Sequence, residues 1–173
     1  MLIVFGGLPA SGKSTLSRAL AERLAAVHVR VDTIEHALKS GQPAHEDIGP
    51  AGYLIAYAVA GDNLRLGHIV VADSVNPLPE TRQAWRDVAV HNGAEAIAVE
   101  VVCSDVDEHR RRVETRTIDI EGFVAPTWTE VEARDYQPWP EADLVVDTAG
   151  RSVDVCLAEL LAFLNERGIH QAY

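Results

Sequence analysis

Gly7-Leu8-Pro9-Ala10-Ser11-Gly12-Lys13-Ser14 meets the pattern G-x-x-x-x-G-K-[ST] at every defined position. The residues just before it, Leu2 to Phe5, form an apolar run rich in strand formers. Just after it, Leu16, Leu20 and Leu24 recur at helical spacing. A strand, a glycine loop and a helix in that order give the loop its chemical meaning. The glycines let backbone N–H groups turn inward around phosphate oxygens, and the helix N-terminus adds partial positive charge. Lys13 then reaches the β and γ phosphates, and the Ser14 hydroxyl is a ligand for magnesium. Gly7, Leu8, Pro9, Ala10, Ser11, Gly12, Lys13 and Ser14, with Thr15 beside them, are the candidate nucleotide-binding set. The competing reading is a glycine-rich turn that only reverses the chain, and it requires motif, strand and helix to coincide by accident.

Outward from this loop the chain alternates between two periodicities. Val27 to Val31, His68 to Ala72, Ala96 to Val102 and Leu144 to Val146 read as further strands, several of them apolar on consecutive positions. Consecutive apolar residues imply burial on both faces, the habit of parallel strands covered by helices. Ala51 to Leu66, Glu80 to His91, Asp105 to Arg116 and Ser152 to Arg167 read as helices. The βαβα order predicts an α/β fold with right-handed crossovers and ligands outside the carboxyl ends of the strands. From Thr117 to Pro140 the periodicity is weak and Gly122, Pro126, Pro138 and Pro140 interrupt it, so this stretch is expected to form a partly mobile flap.

Composition narrows the function classes. With 173 residues, 47% hydrophobic and 24% charged, the chain is expected to form one globular domain. Its net charge of −11 opposes a polyanion, so long nucleic acid is not an expected partner. Cys103 and Cys156 sit in apolar runs and are expected to be buried free thiols, in keeping with a reducing cytoplasm. The first apolar run is too short for a signal peptide or a membrane span, so no membrane segment is expected. The histidines are scattered and neither cysteine has CxxC spacing, which argues against a zinc site.

The segments GLPASGKSTLSRAL, VRVDTIEHAL and VVADSVNP resemble the small P-loop kinases related to gluconate kinase, chloramphenicol phosphotransferase, adenylylsulfate kinase and the polynucleotide kinase domain. The resemblance covers nearly the whole chain, and its second and third elements mark the superfamily without choosing a substrate. It implies a three-layer P-loop NTPase fold of the nucleoside-kinase-like superfamily, with a five-stranded parallel sheet in the order 2-3-1-4-5. Residues 1–173 would form a single kinase domain with a small lid at about 110–140. It also implies transfer of the γ-phosphoryl group of ATP, with Mg2+, to an acceptor.

By the same resemblance Asp32, after the second strand, accepts the proton of the attacking hydroxyl, a role set by placement more than by basicity. Asp32-Thr33-Ile34-Glu35 is also a capping pattern, with Asp32 as N-cap and Glu35 at N3. Asp73, at the end of the third strand, is a candidate to hold magnesium or its water, against the alternative of a strand-end turn with Ser74 and Asn76. Asn76 and Arg82 either reach the acceptor or a phosphate or serve as a turn residue and a solvated helix arginine. In the run His109-Arg110-Arg111-Arg112, with Arg116 beyond it, Arg112 and Arg116 share a predicted helix face and are the favoured lid arginines. Pairing of Arg112 with Glu108 and of Arg111 with Asp107 is the alternative. The loop of Leu144 to Gly150 borders the adenine by resemblance, or simply connects to a helix capped by Ser152.

The acceptor is expected to contact the segment from Glu35 to Tyr57, where His36, Gln42, His45, Tyr53 and Tyr57 offer hydrogen bonds and rings. Trp128, Tyr136 and Trp139 either close over a ring or dock the flap. The expected activity is an ATP-dependent kinase acting on a hydroxyl of a small molecule, with Asp32, Lys13, Arg112 and Arg116 as its catalytic residues and Ser14 and Asp73 at the metal. Two alternatives stand beside it: a 5′-hydroxyl kinase of nucleic-acid ends, and a nucleotide-gated regulatory NTPase that has no acceptor. ATP against GTP, the acceptor and the oligomeric state are not written in the sequence.

Overall fold

The computed structural model describes residues 1–41, 47–117, 119–120 and 122–169. Five strands, β1 (Leu2–Gly6), β2 (Val27–Arg30), β3 (Val70–Asp73), β4 (Ala96–Val102) and β5 (Leu144–Asp147), form one sheet in the order β2-β3-β1-β4-β5. All four pairings are parallel. The expected sheet is therefore the observed one. β3 begins two residues later than the β-branched run suggests and ends on Asp73.

Among the described residues, six helices connect or flank the strands: α1 (Lys13–Leu24), α2 (Val31–Ser40), α3 (Ala51–Arg65), α4 (Pro79–His91), α5 (Val106–Thr115) and α7 (Val153–Glu166). A short seventh, α6 (Trp128–Glu132), lies where no helix was expected. Thr127 and Glu130 form a capping box that fixes its start. Among the described residues no helix is long and apolar enough to cross a membrane.

The sheet buries both faces, as the consecutive apolar runs require. On one face Ile3, Phe5, Val71, Val99 and Val101 pack against Leu16 and Leu20 of α1 and Leu160 and Leu164 of α7. On the other, Leu2, Val4, Val70 and Ala72 pack against Ala56 and Ala60 of α3 and Trp85 of α4. Trp139 joins this second core. Close-packed layers on both sides hold the strand ends in a fixed line, and in-register pairing sets Phe5, Arg30 and Asp73 side by side at the carboxyl edge.

That edge explains a difference from the sequence reading of α2. β2 runs into α2 with no intervening loop: Arg30 is extended at φ −107° and Val31 is already helical. The N-cap is therefore Arg30, no side chain caps this end, and Asp32 sits inside the first turn instead of at its cap. The expected capping role for Asp32 does not hold, and its carboxylate is left for other use.

The flap also differs along its length. Residues 136–139 are not loose: Tyr136 donates to Glu100 Oε1 at 2.8 Å, and Trp139 is buried beneath Gly6, where an added Cβ would collide with its ring. Arg82 pins them. Its buried guanidinium donates to the carbonyls of Asn76 (2.9 Å), Pro138 (2.8 Å), Gln137 (2.5 Å) and Pro77 (3.3 Å). It also lies over the rings of Trp139 and Tyr136, at 4.8 and 5.2 Å from their centroids. Arg82 is thus neither a phosphate ligand nor a solvated helix residue. Asn76 is equally committed: its Nδ2 donates to Phe5 O and its Oδ1 accepts from Trp85 Nε1.

Candidate active site

The glycine loop takes the shape its sequence requires. Gly7 (φ 142°) and Gly12 (φ 102°) occupy backbone conformations that disfavour a side chain, and a Cβ on Gly7 would strike the Val101 carbonyl. Gly12 is also the N-cap of α1, and no side chain caps that helix. The first N–H groups of α1 therefore face the cradle without a side-chain partner, the arrangement that favours an anion.

Two contacts brace the loop from behind. His109 of α5 is buried with Nε2 at 2.8 Å from the Pro9 carbonyl; a carbonyl only accepts, so this nitrogen carries the proton. The ring of Trp128 packs edge-on against it at 5.4 Å. Thr148, just past β5, donates its hydroxyl to the Ser11 carbonyl at 2.8 Å. Trp128 and His109 are therefore loop supports. Of the aromatic residues considered for closing over a ring, Trp128, Tyr136 and Trp139 all dock into the fold instead.

In front of the loop lies a cleft of about 800 Å³ lined by Gly12, Lys13, Ser14, Thr15, Asp32, Arg112, Arg116 and Thr148. Lys13 is only 5% exposed. Eight of the chain's fifteen lysines and arginines line this cleft, with only four of its twenty-six acidic residues. The acidic molecule thus gathers positive charge where phosphates would sit, as a site that attracts an anionic ligand requires.

The two favoured arginines both reach the cleft, by different routes. Arg112 donates to Thr148 Oγ1 (2.7 Å), Thr148 O (2.9 Å) and Glu108 Oε1 (2.6 Å), so the helix pair with Glu108 and the placement in the cleft coexist. Arg116 does not share the helix face: α5 ends at Thr115, and Arg116 follows as an extended C-cap. Its Nε is buried without a hydrogen bond among the described residues. Burial lowers its affinity for its proton, the nearby Asp32 carboxylate opposes that, and Arg30 adds to it. Arg116 and Asp32 thus line the same cleft, each within the other's electrostatic influence. Arg110 turns outward to pair with Glu114.

Asp73 ends β3 and does not itself line the cleft, although Arg30 beside it does. Asp73 is 1% exposed, yet among the described residues neither carboxylate oxygen has a hydrogen-bond partner. The nearest basic groups are Arg30 Nε at 3.8 Å and His28 Nε2 at 4.0 Å from its Oδ2. Burial holds His28 below its ordinary pKa, with Asp73 pulling the other way. A buried carboxylate with both oxygens open suits a hard cation or its water.

Several lining residues escaped the sequence reading. Arg30 donates to both oxygens of Asp119 at 2.8 and 3.0 Å, and Arg18 pairs with the same carboxylate. These arginines hold Asp119 well below the usual carboxylate range, at about 2. Phe123 lines the cleft and packs near the His36 ring at 6.2 Å. Of the residues considered for the acceptor, Tyr53 lines the cleft, its hydroxyl accepting from Asn76 N at 3.2 Å. Tyr57 packs edge-on against Trp85 at 4.6 Å. Gln42 and His45 lie outside the described residues. At the far end Ser152 caps α7 by accepting from Val155 N, as the sequence suggested. Cys103 and Cys156 are buried and free.

This arrangement has relatives. The chain is 27% identical to an adenylyl-sulfate kinase of Acaryochloris marina over 98% of its own length and 84% of that protein. It is 30% identical to a sulfate adenylyltransferase of Neosartorya fischeri over 96% of its own length, but spans only 30% of that longer protein. In fold it is similar to the APS kinase of Mycobacterium tuberculosis solved with AMPPNP and APS, at TM-score 0.71 and 24% identity over 95% of this chain and 96% of that one. A gluconokinase of Sinorhizobium meliloti gives TM-score 0.67 at 20% identity, over 95% and 91%. These likenesses, together with the strand order and the phosphate loop, place the chain within the P-loop kinase fold. The model of one family, described as an AAA domain, matches residues 2–125, and the chain belongs to that family.

Proposed function

We propose that the protein is an ATP- and Mg2+-dependent kinase that transfers the γ-phosphoryl group to a hydroxyl of a small molecule. The observation that carries this reading is the cleft itself, where the open N-terminus of α1 and Lys13 share one space with Asp32 of the first turn of α2 and with Arg116.

In this reading Gly7 to Thr15 hold the nucleotide phosphates through backbone N–H groups, with Lys13 on the β and γ phosphates. Asp32 takes the proton of the acceptor hydroxyl as the oxygen attacks phosphorus; the bond to the β–γ bridging oxygen breaks, and ADP leaves with that electron pair. Arg116 stabilises charge on the phosphoryl group in flight. Arg112 is the second such arginine or, through Thr148, steadies the wall behind the phosphates. Ser14 and Asp73 fit magnesium, which when bound neutralises phosphate charge; Asp73 supplies the open buried oxygens.

The negative net charge favours a small acceptor over long nucleic acid, and the two free thiols suit a reducing, cytoplasmic setting. The test is transfer of labelled γ-phosphate from Mg-ATP to separate pools of nucleosides, adenylylsulfate, sugar acids, hydroxylated antibiotics and 5′-hydroxyl oligonucleotides. Transfer to one small-molecule pool supports the proposal and names the acceptor class. Transfer to oligonucleotides alone makes the protein a kinase of nucleic-acid ends. ATP hydrolysis indifferent to every pool makes it a nucleotide switch.

A further inference from the structure

Glu35 stands one helical turn beyond Asp32 on α2, and both line the cleft. Its position is fixed by packing: α3 passes so close that a Cβ on Gly52 would collide with Glu35 Cγ and lie 3.0 Å from its Oε1. Among the described residues its carboxylate makes no hydrogen bond and no ion pair. Burial, then the charge of Asp32, raises its pKa, while Lys39 and Arg134 act the other way. The Tyr53 hydroxyl borders the same space and feels both carboxylates.

A held, half-buried carboxylate with no partner beside a second carboxylate is unfavourable for folding alone. Its chemistry says what would satisfy it. An ionised carboxylate only accepts hydrogen bonds, so its complement on a ligand is an O–H or N–H donor. Because Glu35 follows Asp32 by one turn, that donor lies next to the hydroxyl from which Asp32 takes the proton.

We propose that Glu35 selects the acceptor by receiving a hydrogen bond from a second hydroxyl, or from an ammonium group, on the carbon adjacent to the attacked hydroxyl. The acceptor is then a vicinal diol or amino alcohol, and a simple alcohol is a poor substrate. This rests on the kinase reading above and adds what that reading leaves open, the chemistry around the attacked group. Glu35 is a specificity residue here; it does not touch the transferred phosphoryl group.

The experiment uses matched acceptor pairs that differ in one group: ribonucleosides and adenylylsulfate against their 2′- and 3′-deoxy forms, sugar acids against single-deoxy forms, and amino sugars against deoxy sugars. The readout is the ratio of kcat/KM within each pair, for the full-length wild type, E35Q and E35A with saturating Mg-ATP. Wild type is expected to favour the donor-bearing member by about 10- to 100-fold, the range for one hydrogen bond to a charged group. In E35A the ratio falls to near one. E35Q keeps the packing on Gly52 and retains part of the preference for a hydroxyl but loses that for an ammonium. Unchanged ratios in both variants, with transfer still proceeding, would overturn the role of Glu35 and leave the kinase intact; equal use of both members by wild type would do the same. No transfer to any member by wild type would remove the kinase reading, and this inference with it.

Discussion

Replacing Arg82 with methionine tests whether this buried cation is structural. Its side chain is 4% exposed and satisfies the carbonyls of Asn76, Pro77, Gln137 and Pro138, joining the β3–α4 connection to the end of the flap. Methionine fills much of the volume but donates nothing. Each buried acceptor left unpaired costs about 1–3 kcal/mol; Pro77 O keeps Gln137 N as a second donor, whereas among the described residues the carbonyls of Asn76, Gln137 and Pro138 have Arg82 alone. The expected loss is therefore about 3–5 kcal/mol, a large share of the roughly 5–15 kcal/mol that holds a typical domain folded. Lysine keeps a cation over Trp139 but cannot fork to both sides, so R82K should fall between R82M and wild type. Urea unfolding followed by tryptophan fluorescence measures this, with the native baseline shifted because Trp139 loses its cation. An R82M protein within about 0.5 kcal/mol of wild type, the usual effect of a surface substitution, would refute the structural role. Loss of ATP binding in a fully stable R82M would return Arg82 to the ligand site.

Three further outcomes follow from the same geometry. Asp119→Asn removes the carboxylate that Arg18 and Arg30 share. A fall in pKa from 3.8 to about 2 corresponds to about 2.4 kcal/mol unscreened, and exposure of the pair reduces this to about 1 kcal/mol or less. Because the folded pKa is depressed, the stability gap between wild type and D119N is present above pH 4 and closes as pH falls towards 2, which urea curves across that range will show. Gly7→Ala forces a Cβ against the Val101 carbonyl at φ 142°, so it should abolish nucleotide binding by calorimetry and lower stability by at least about 1–3 kcal/mol. Asp73→Asn should remove most of the magnesium-dependent tightening of ATP binding while metal-free binding changes little; equal magnesium dependence in both proteins would discard Asp73 as a ligand.

What the sequence made legible was what local chemistry determines. The glycine loop, the strand before it and α1 after it need only adjacent residues, and β4 was read to the residue because its apolar run is bounded at both ends. The strand order came through resemblance to known kinases. The D-x-x-E pattern at Asp32 misled because it describes a cap correctly only if a loop precedes the helix, and β2 leaves none. The T-x-x-E box at Thr127 was readable in principle, but the prolines around it masked a helix of five residues. Arg30 and Arg18 meet Asp119 across 89 and 101 residues of chain, and Arg82 meets Gln137 and Pro138 across 55 and 56. No periodicity carries such pairs; only the sheet order brings them together.

The proposed reaction stands or falls on Asp32 as the base of the phosphoryl transfer. Its most direct test is single-turnover transfer of γ-phosphate from prebound Mg-ATP to the accepting pool, comparing wild type with Asp32→Asn. The variant is expected to bind ATP within about threefold of wild type and keep its stability, while the transfer step slows by about 10²–10⁴-fold, the usual contribution of a positioned base. A variant that transfers at the wild-type rate would contradict that role, and the acceptor's proton would then leave by another route.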